Sequence, residues 1–444
     1  MIELSASQYD IWTTEQILGS ASVALSGSVL YDKNTFPYTY AEMENAIQKV
    51  IHCNDALRIQ IISNGIHPLQ EVSDHLLCVI EKFQFQNMEA FQKWAMEKAG
   101  EPIGDKGCLY SFSIIDLPAH RGLFIRIHHI ISDAWSIALV VSQFNRALLG
   151  SDDLGAYSFV DHVKKTLDCR EKARRQQDLS FYVKQYEANS GLLLYSTDRN
   201  DEHHARRATF QIPSDVRIKL ECLANQSKVS LLSVFMSLFS IYFNRTEMNI
   251  SHFFLGTTLL NRYGMADRNT VGMFVNTVPV AISLNPENSF AVNLEQIQYS
   301  FMGVLRHNRC SYTEILKEIR KMEPGVTQLF DVSINYHNAT IQDADGLPYE
   351  TRWYPSQFQS EALQISIEDR DLTGNLFVHY DYRIDCFDEA LIQKMHQAIE
   401  ILADDVLENR TTPVRDLSVM SKASCNIQTD PDRRLDIETK STPQ

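Results

Sequence analysis

The spacing of apolar and polar positions alternates between the helical and the strand period along the first part of the chain. Residues 39–62, "TYAEMENAIQKVIHCNDALRIQII", start with apolar and small residues at helical spacing and end in the β-branched run "LRIQII", which predicts a helix followed by a strand. "MEAFQKWAMEKAG" predicts a helix closed by Gly100, and "SIALVVSQFNRALLG" a helix that ends at Gly150. Between them, "LYSFSIIDL" and "GLFIRIHH" predict two neighbouring strands joined by "PAHR".

A polar stretch, residues 151–189, separates this part from a second one of the same character. After it, "LLSVFMSLFSIYFN" predicts an apolar helix, and "ISHFFLGTTLL", "NTVPVAISL", "LFDVSINYHN" and "NLFVHYDYR" predict strands. We therefore predict an α/β (α+β) protein with an N-terminal lobe over residues 1–170 and a C-terminal lobe over residues 171–422. Residues 423–444 are polar and predict a tail or a truncated linker.

Length and composition narrow the classes of function. The chain has 444 residues, enough for two or three domains of about 150 residues each. Its net charge of −15 argues against nucleic acid and anionic membranes as partners, because both attract basic proteins. The eight cysteines lie far apart and predict reduced core thiols, and the amino terminus lacks a targeting pattern. We expect a cytoplasmic, monomeric domain.

The stretch with the most chemistry is "RIHHIISDAWS", residues 126–136. Strand alternation would project His128 and His129 to opposite faces, which disfavours a shared metal ion. Two hydrogen-bonded core histidines are the plain alternative. Ser132 and Asp133 stand where a helix N-cap belongs, before Trp135. A histidine fixed at such a turn is suited to accept a proton near neutral pH, and Asp133 would either orient it or pair with an arginine.

The same stretch resembles the His-His-x-x-x-Asp-Gly signature of condensation domains of nonribosomal peptide synthetases, which are chloramphenicol acetyltransferase-like acyltransferases. Other stretches resemble further motifs of this family in the family order. They are "LSASQYDIW" at 4–12, "NDALRIQI" at 54–61, "YSFVDHV" at 157–163, "TVGMFVNTVPV" at 270–280 and "QLFDVSINYHN" at 328–338. The resemblance thus covers most of the chain.

The resemblance implies two chloramphenicol acetyltransferase-like lobes in a V-shaped pseudo-dimer with a tunnel between them. It implies no bound metal or cofactor. The phosphopantetheine arms of an upstream donor and a downstream acceptor peptidyl carrier protein would bring the substrates, and an adenylation domain of the same synthetase would be a further partner. The product would be an amide bond.

Residue roles also follow from the resemblance. His129 would be the catalytic histidine, with His128 in support, and Asp133 a structural residue paired with Arg58. Ala134, Trp135 and Ser136 would complete the support of the site. Residues of the tunnel would be Gly272, Phe274, Asn276, Thr277 and Asn335, with the segment around Gly272 closing the tunnel floor and Asn335 facing the channel.

Ala134 stands where the family motif has glycine. Alanine would be strained if that position needs a positive φ, or would narrow the site if the glycine admits the acyl chain.

Three functions remain open at this stage. The leading one is a condensation domain; if Met1 is the natural start, it is a starter domain with a fatty acyl donor, and a cloning boundary is the alternative. The second is a stand-alone acyltransferase that uses coenzyme A and an alcohol or amine acceptor. The third is a non-catalytic recruitment domain, which the intact His-x-x-x-Asp pattern disfavours.

Overall fold

A computed structural model describes residues 1–62, 68–74, 79–104, 107–189, 192–195, 203–246, 250–337, 347–369 and 375–419. The α-helices are α1 (Ala6–Leu18), α2 (Tyr40–Cys53), α3 (Met88–Ala99), α4 (Ala134–Leu148), α5 (Phe159–Thr166), α6 (Cys169–Asn189), α7 (Ser214–Ser227), α8 (Leu231–Thr246), α9 (Gly264–Arg268), α10 (Phe290–Arg306), α11 (Tyr312–Ile319) and α12 (Glu389–Glu408). The strands are β1 (Ile2–Glu3), β2 (Ala24–Asp32), β3 (Ile59–Ile62), β4 (Leu69–Val72), β5 (Glu81–Gln84), β6 (Tyr110–Asp116), β7 (His120–His128), β8 (Ala205–Ile212), β9 (His252–Leu259), β10 (Asn276–Ser283), β11 (Val332–His337), β12 (Tyr349–Tyr354), β13 (Leu363–Glu368) and β14 (Leu376–Arg383).

The first lobe is built on a five-stranded sheet of order β12-β2-β7-β6-β5. Strands β6 and β7 pair antiparallel through the short connection at "PAHR", which confirms the predicted pair. Helices α2 and α4 pack against each other, and their apolar faces join one core with residues such as Ile125 and Ile127 of β7. On the other side of the sheet, Phe91 and Ala95 of α3 pack against Phe124. Both faces of β7 are therefore buried, and the strand end at His128 is held rigidly.

The second lobe is built on a six-stranded sheet of order β10-β9-β11-β13-β14-β8. All four strands predicted in this part of the chain occur. The predicted apolar helix is α8, and the 12 residues from Ser233 to Asn244 are all buried in the core of this lobe. Such a helix is apolar all round because it is covered on every side. The α/β prediction is confirmed in both lobes.

Two segments of the second half of the chain cross to the first lobe. Strand β12 pairs antiparallel with β2 at the edge of the first sheet. Val271, Met273 and Phe274, in the connection between α9 and β10, join the core of the first lobe. The boundary between residues 170 and 171 stays a prediction. Sequence periodicity did not indicate that these two segments of the second half would pack in the first lobe.

The cysteines differ from the expectation of reduced core thiols. Cys53 and Cys222 are free but exposed, because both lie on the outer faces of helices, and only Cys310 is a free buried thiol among the described residues. Cys108 is disulfide-bonded, so the prediction is wrong at this residue. The tail predicted at 423–444 lies outside the described residues.

No single helix in the described ranges has the length and apolar composition to cross a membrane. Helices α7 and α8 pass that test only as a pair, and they meet at an angle of 103°.

Candidate functional site

The two adjacent histidines sit at the junction between β7 and α4. Strand β7 ends at His128, and residues His129–Ile131 form one 3₁₀ turn before α4 begins. His129 is therefore outside the strand, and strand alternation does not set its direction as the sequence analysis assumed. Asp133 is the N-cap of α4, because its carboxylate accepts the backbone N–H of Ser136 at 2.7 Å. The predicted N-cap is thereby confirmed.

His129 is half-buried, and its hydrogen bonds fix the tautomer. Its backbone N–H donates to the Val23 carbonyl oxygen at 2.8 Å, which ties the turn to the start of β2. Its Nδ1 lies 2.8 Å from the carbonyl oxygen of Ser132. A carbonyl oxygen can only accept, so Nδ1 carries the proton and Nε2 of the neutral ring carries the lone pair. Burial lowers the pKa of His129, against the opposing influence of the Asp133 carboxylate. The ring is thus neutral at neutral pH and able to accept a proton.

His128 has the opposite tautomer in its neutral form. It is 1% exposed, and its Nδ1 accepts the backbone N–H of Ile130 at 3.0 Å, so the proton lies on Nε2. Nε2 is 3.4 Å from a carboxylate oxygen of Glu15 on α1. The ring is thus hydrogen-bonded through Nδ1 to the backbone of the turn, while its buried Nε2 faces the Glu15 carboxylate without a hydrogen bond among the described residues.

Asp133 forms a buried ion pair, but not with the residue predicted. Nη2 of Arg262 lies 2.8 and 2.9 Å from its two carboxylate oxygens, and both side chains are 0% exposed. Arg58 instead contacts Asp74 at 3.5 Å and the Ser73 carbonyl oxygen at 3.3 Å. The predicted Asp133–Arg58 pair is therefore wrong. Arg262 is the third residue after the end of β9, and the path of the chain between the lobes brings it to Asp133.

Further hydrogen bonds satisfy most N–H groups of the buried Arg262 guanidinium. Its Nη1 donates to the carbonyl oxygens of Asp267 and Thr270, each at 2.6 Å. The central carbon of the guanidinium, Cζ, lies 4.0 Å from the centroid of the Phe274 ring. A buried ion pair is stable only with such additional partners. Sequence reasoning missed Arg262, because an arginine between a strand and a glycine is usually a surface loop residue.

The segment after α9 is held against the start of α4. Gly272 donates its N–H to the Ser136 hydroxyl oxygen at 3.0 Å, and its carbonyl oxygen lies 2.7 Å from the same hydroxyl. The N–H of Phe274 donates to Asp133 at 3.2 Å. A Cβ on Gly272 would stand 2.1 Å from the Phe159 ring, so the close approach of α5 requires glycine here.

Trp135 and Ala134 occupy the first turn of α4. The Trp135 indole N–H donates to the carbonyl oxygen of Arg268 at 2.8 Å, which fastens α9 to α4. Ala134 is the first helical residue, is exposed, and has no positive φ. The alanine is therefore unstrained at the position where the family motif has glycine.

The remaining predicted tunnel residues divide into two groups. Phe274 and Asn276 line a cavity, whereas Thr277 contacts Thr258 through their hydroxyl groups at 3.1 Å. Asn335 is 2% exposed and accepts the backbone N–H of Thr258 at 2.8 Å. Its side chain thus bridges β11 to β9 within the sheet, and the expectation that it faces a channel is wrong.

The cavity has a volume of about 770 Å³ and lies between the lobes. Its lining comes from the start of α1, the helices α5 and α6, the segment 261–276 and the end of α10. Four cationic side chains contribute to the lining, Lys165, Arg175, Arg306 and Arg309, against one carboxylate, Asp168. The wall next to the ion pair is Phe274; His129 is not part of the lining. This is the size of cavity that holds an extended small molecule.

Comparison with known proteins identifies the family and the fold over most of the chain. Residues 1–426 match the sequence model of the family described as Condensation domain. The chain is 26% identical to surfactin synthase subunit 1 of Bacillus subtilis (strain 168) over 95% of its length, and 20% identical to tyrocidine synthase 3 of Brevibacillus parabrevis over 96%. It spans 12% and 7% of the lengths of these two proteins.

Solved structures share the fold. The starter condensation domain of rhizomide synthetase RzmA, as a mutant in complex with C8-CoA, superposes with a TM-score of 0.82 at 19% identity, covering 94% of this chain and 97% of that one. The first condensation domain of the calcium-dependent antibiotic synthetase, in complex with a substrate analogue, superposes with a TM-score of 0.78 at 16% identity and covers 94% and 99%.

Proposed function

Because the chain belongs to the condensation domain family, whose members form amide bonds in nonribosomal peptide synthesis, we propose that it joins a carrier-bound acyl or peptidyl thioester to the amine of a carrier-bound aminoacyl group. The observation that carries the proposal is His129. It has a fixed tautomer, a lowered pKa and a rigid turn built by the Asp133–Arg262 pair.

The reaction does not require a strong base. A thioester is already activated, and an α-amine titrates near pH 8 as a model group, so roughly a tenth of it is nucleophilic at neutral pH. Nε2 of His129 accepts a hydrogen bond from the amine, holds it in line with the thioester carbon and takes up its proton as the C–N bond forms. The thiolate of the pantetheine arm leaves and is protonated. Backbone N–H groups in the first turn of α4 are the proposed donors to the tetrahedral oxyanion.

Asp133 takes no part in proton transfer in this proposal. Both of its oxygens are occupied by Arg262, and it also accepts N–H groups from Ser136 and Phe274. A carboxylate with these partners holds the turn against residues 261–276, which we call the interlobe segment. His128, bound by Ile130 and near Glu15, is a support of the same turn.

We assign the interlobe cavity to a phosphopantetheine arm. Lys165 and Arg306 are exposed cations at the cavity, suited to a phosphate group. Deeper in the wall, Asn276 is 4% exposed, and its buried Oδ1 accepts no hydrogen bond from the described residues. Buried acceptors normally have a donor. The arm supplies a phosphate and amide N–H groups, whereas a bare acyl chain supplies neither.

Reconstitution tests the proposal and separates it from its alternatives. One carrier protein is loaded with an octanoyl-pantetheine thioester and a second with an aminoacyl-pantetheine thioester, and the amide on the second is measured by mass spectrometry. Amide formation above the rate without the domain supports a condensation domain. Product from octanoyl coenzyme A and a free amine or alcohol, but not from carriers, identifies the stand-alone acyltransferase. Carrier binding without product in either arm identifies a recruitment domain.

A further inference from the structure

Helix α1 has polar side chains on two opposite faces. Gln8 and Glu15 are seven residues apart, so their side chains leave the helix within about 20° of one another at 3.6 residues per turn. Asp10 leaves the helix about 200° away from Gln8. A helix with this pattern contacts two different neighbours through specific polar groups.

The face with Gln8 contacts the His129 turn. The Gln8 side chain, 0% exposed, donates from Nε2 to the carbonyl oxygen of Ile130 at 3.0 Å. A reciprocal amide pair with Gln70, at 2.8 and 2.9 Å, fixes its orientation. Glu15 on the same face lies 3.4 Å from Nε2 of His128. Helix α1 thus contacts the residues on both sides of His129.

The face with Asp10 contacts the second lobe. Its carboxylate accepts the backbone N–H of Tyr312 at 2.9 Å and of Thr313 at 3.0 Å. These are the first two residues of α11, whose N–H groups have no partner within the helix. A carboxylate from one lobe therefore caps a helix of the other lobe, where it also interacts favourably with the helix dipole.

We propose that α1 transmits the position of the second lobe to the catalytic turn, with Asp10 as the positioning residue; this rests on the proposed function, because the turn matters only if His129 carries the reaction. When Asp10 holds α11, Gln8 is held against the carbonyl of Ile130 and the His129 ring stays in its orientation. Loss of the Asp10 contact allows α1 to shift. The turn then loses the hydrogen bond between Gln8 and the carbonyl oxygen of Ile130. Asp10 contacts no residue of the turn directly.

The test measures two properties of the Asp10→Ala variant and of the wild type at pH 8. They are the rate of amide formation between loaded carriers and the hydrogen exchange of backbone amides. Three results are expected: the amides of Tyr312 and Thr313 exchange at least about tenfold faster, those of Ile130 and Ser132 at least about threefold faster, and the rate of amide formation at saturating carriers falls at least about fivefold. Asp10→Asn keeps one oxygen acceptor and should recover most of the rate. Asp388→Ala is the matched control: it removes a carboxylate cap from α12 inside the second lobe and should leave the rate and the exchange of Ile130 and Ser132 unchanged.

Faster exchange at Tyr312 and Thr313 with no change at Ile130, Ser132 and in the rate would overturn the coupling. Equal loss of rate in Asp388→Ala would overturn it as well, because any lost cap would then have the same effect. A wild-type domain that makes no amide contradicts the proposed function instead, and in that case the exchange pattern alone decides whether α1 couples the lobes.

Discussion

Asp133 and Arg262 form a fully buried ion pair although 129 positions separate them in the sequence. Asp133 caps the helix that follows the His129 turn, and Arg262 begins the segment that returns from the second lobe. The pair thus joins the two lobes at the site, and its strength decides whether the turn and the interlobe segment keep their mutual position.

Removal of one partner of this pair should destabilise the domain strongly. Asp133→Asn and Arg262→Ala each leave a buried charge without its counter-charge, at a cost of roughly 3 to 5 kcal/mol of unfolding free energy. In the double variant the loss should be smaller than the sum, because the two residues interact directly. Urea denaturation of the three variants measures this. Lys49→Ala is the control and should change the unfolding free energy little, since both side chains of its ion pair with Asp152 are exposed. Additive losses would contradict the pair.

Gly272 should not accept a side chain. In Gly272→Ala the new Cβ meets the Phe159 ring, so α5 or the interlobe segment must move, and we expect a loss of about 1 to 3 kcal/mol of stability. Gly325→Ala is the matched control, because a Cβ at this position would have no neighbour within 4 Å in the part of the chain that the structure describes. The double variant Gly272→Ala, Phe159→Leu should recover part of the loss. Equal stability of Gly272→Ala and the wild type, by thermal melting, would show that the contact is not tight.

The exposed cations at the cavity should govern affinity for the carriers rather than the chemical step. Charge reversal in Lys165→Glu or Arg306→Glu should raise KM for one loaded carrier at least about threefold, leave kcat within about twofold, and weaken the salt dependence of KM. Lys219→Glu, on the exposed face of α7, is the control with the same change in charge. If all three variants behave alike, the cavity does not receive the arm.

In mildly acidic solution His396 should contribute a loss of stability, opposite in sign to the contributions of Glu361 and Asp10, whose pKa values burial raises to about 7 and about 6. Burial in the second lobe lowers the pKa of His396 from 6.5 to about 4, so the unfolded chain binds the proton first. The contribution of His396 is complete above pH 6.5 and is lost as the pH falls from 6.5 to 4, by at most about 3 kcal/mol. Between pH 6.5 and 4, His396→Gln, which keeps a partner for the Tyr380 hydroxyl, should lose less unfolding free energy, or gain more, than the wild type, whereas His252→Gln at an exposed site should follow the wild type. If the unfolding free energy of His396→Gln has the same pH dependence as that of the wild type, His396 does not make this contribution.

Local sequence patterns predicted the elements well and the contacts between them poorly. The helical and strand periods around α4, β7 and α8 are set by burial, which acts over a few residues and is visible in the sequence. The partner of Asp133 is set by the path of the chain from β9 back to the first lobe, which no local pattern encodes. Asn335 is a similar case: the family resemblance implied that it faces the channel, yet its side-chain oxygen accepts the N–H of Thr258 between two strands.

Amide formation in His129→Ala tests the central claim most directly. With both carriers loaded, the wild type should transfer the acyl group to the amine, and His129→Ala should be slower by at least about tenfold, which is the low end of what a positioned proton acceptor contributes. Its melting temperature should equal that of the wild type, and His252→Ala should keep the wild-type rate. A His129→Ala domain that is folded and as fast as the wild type would contradict the account.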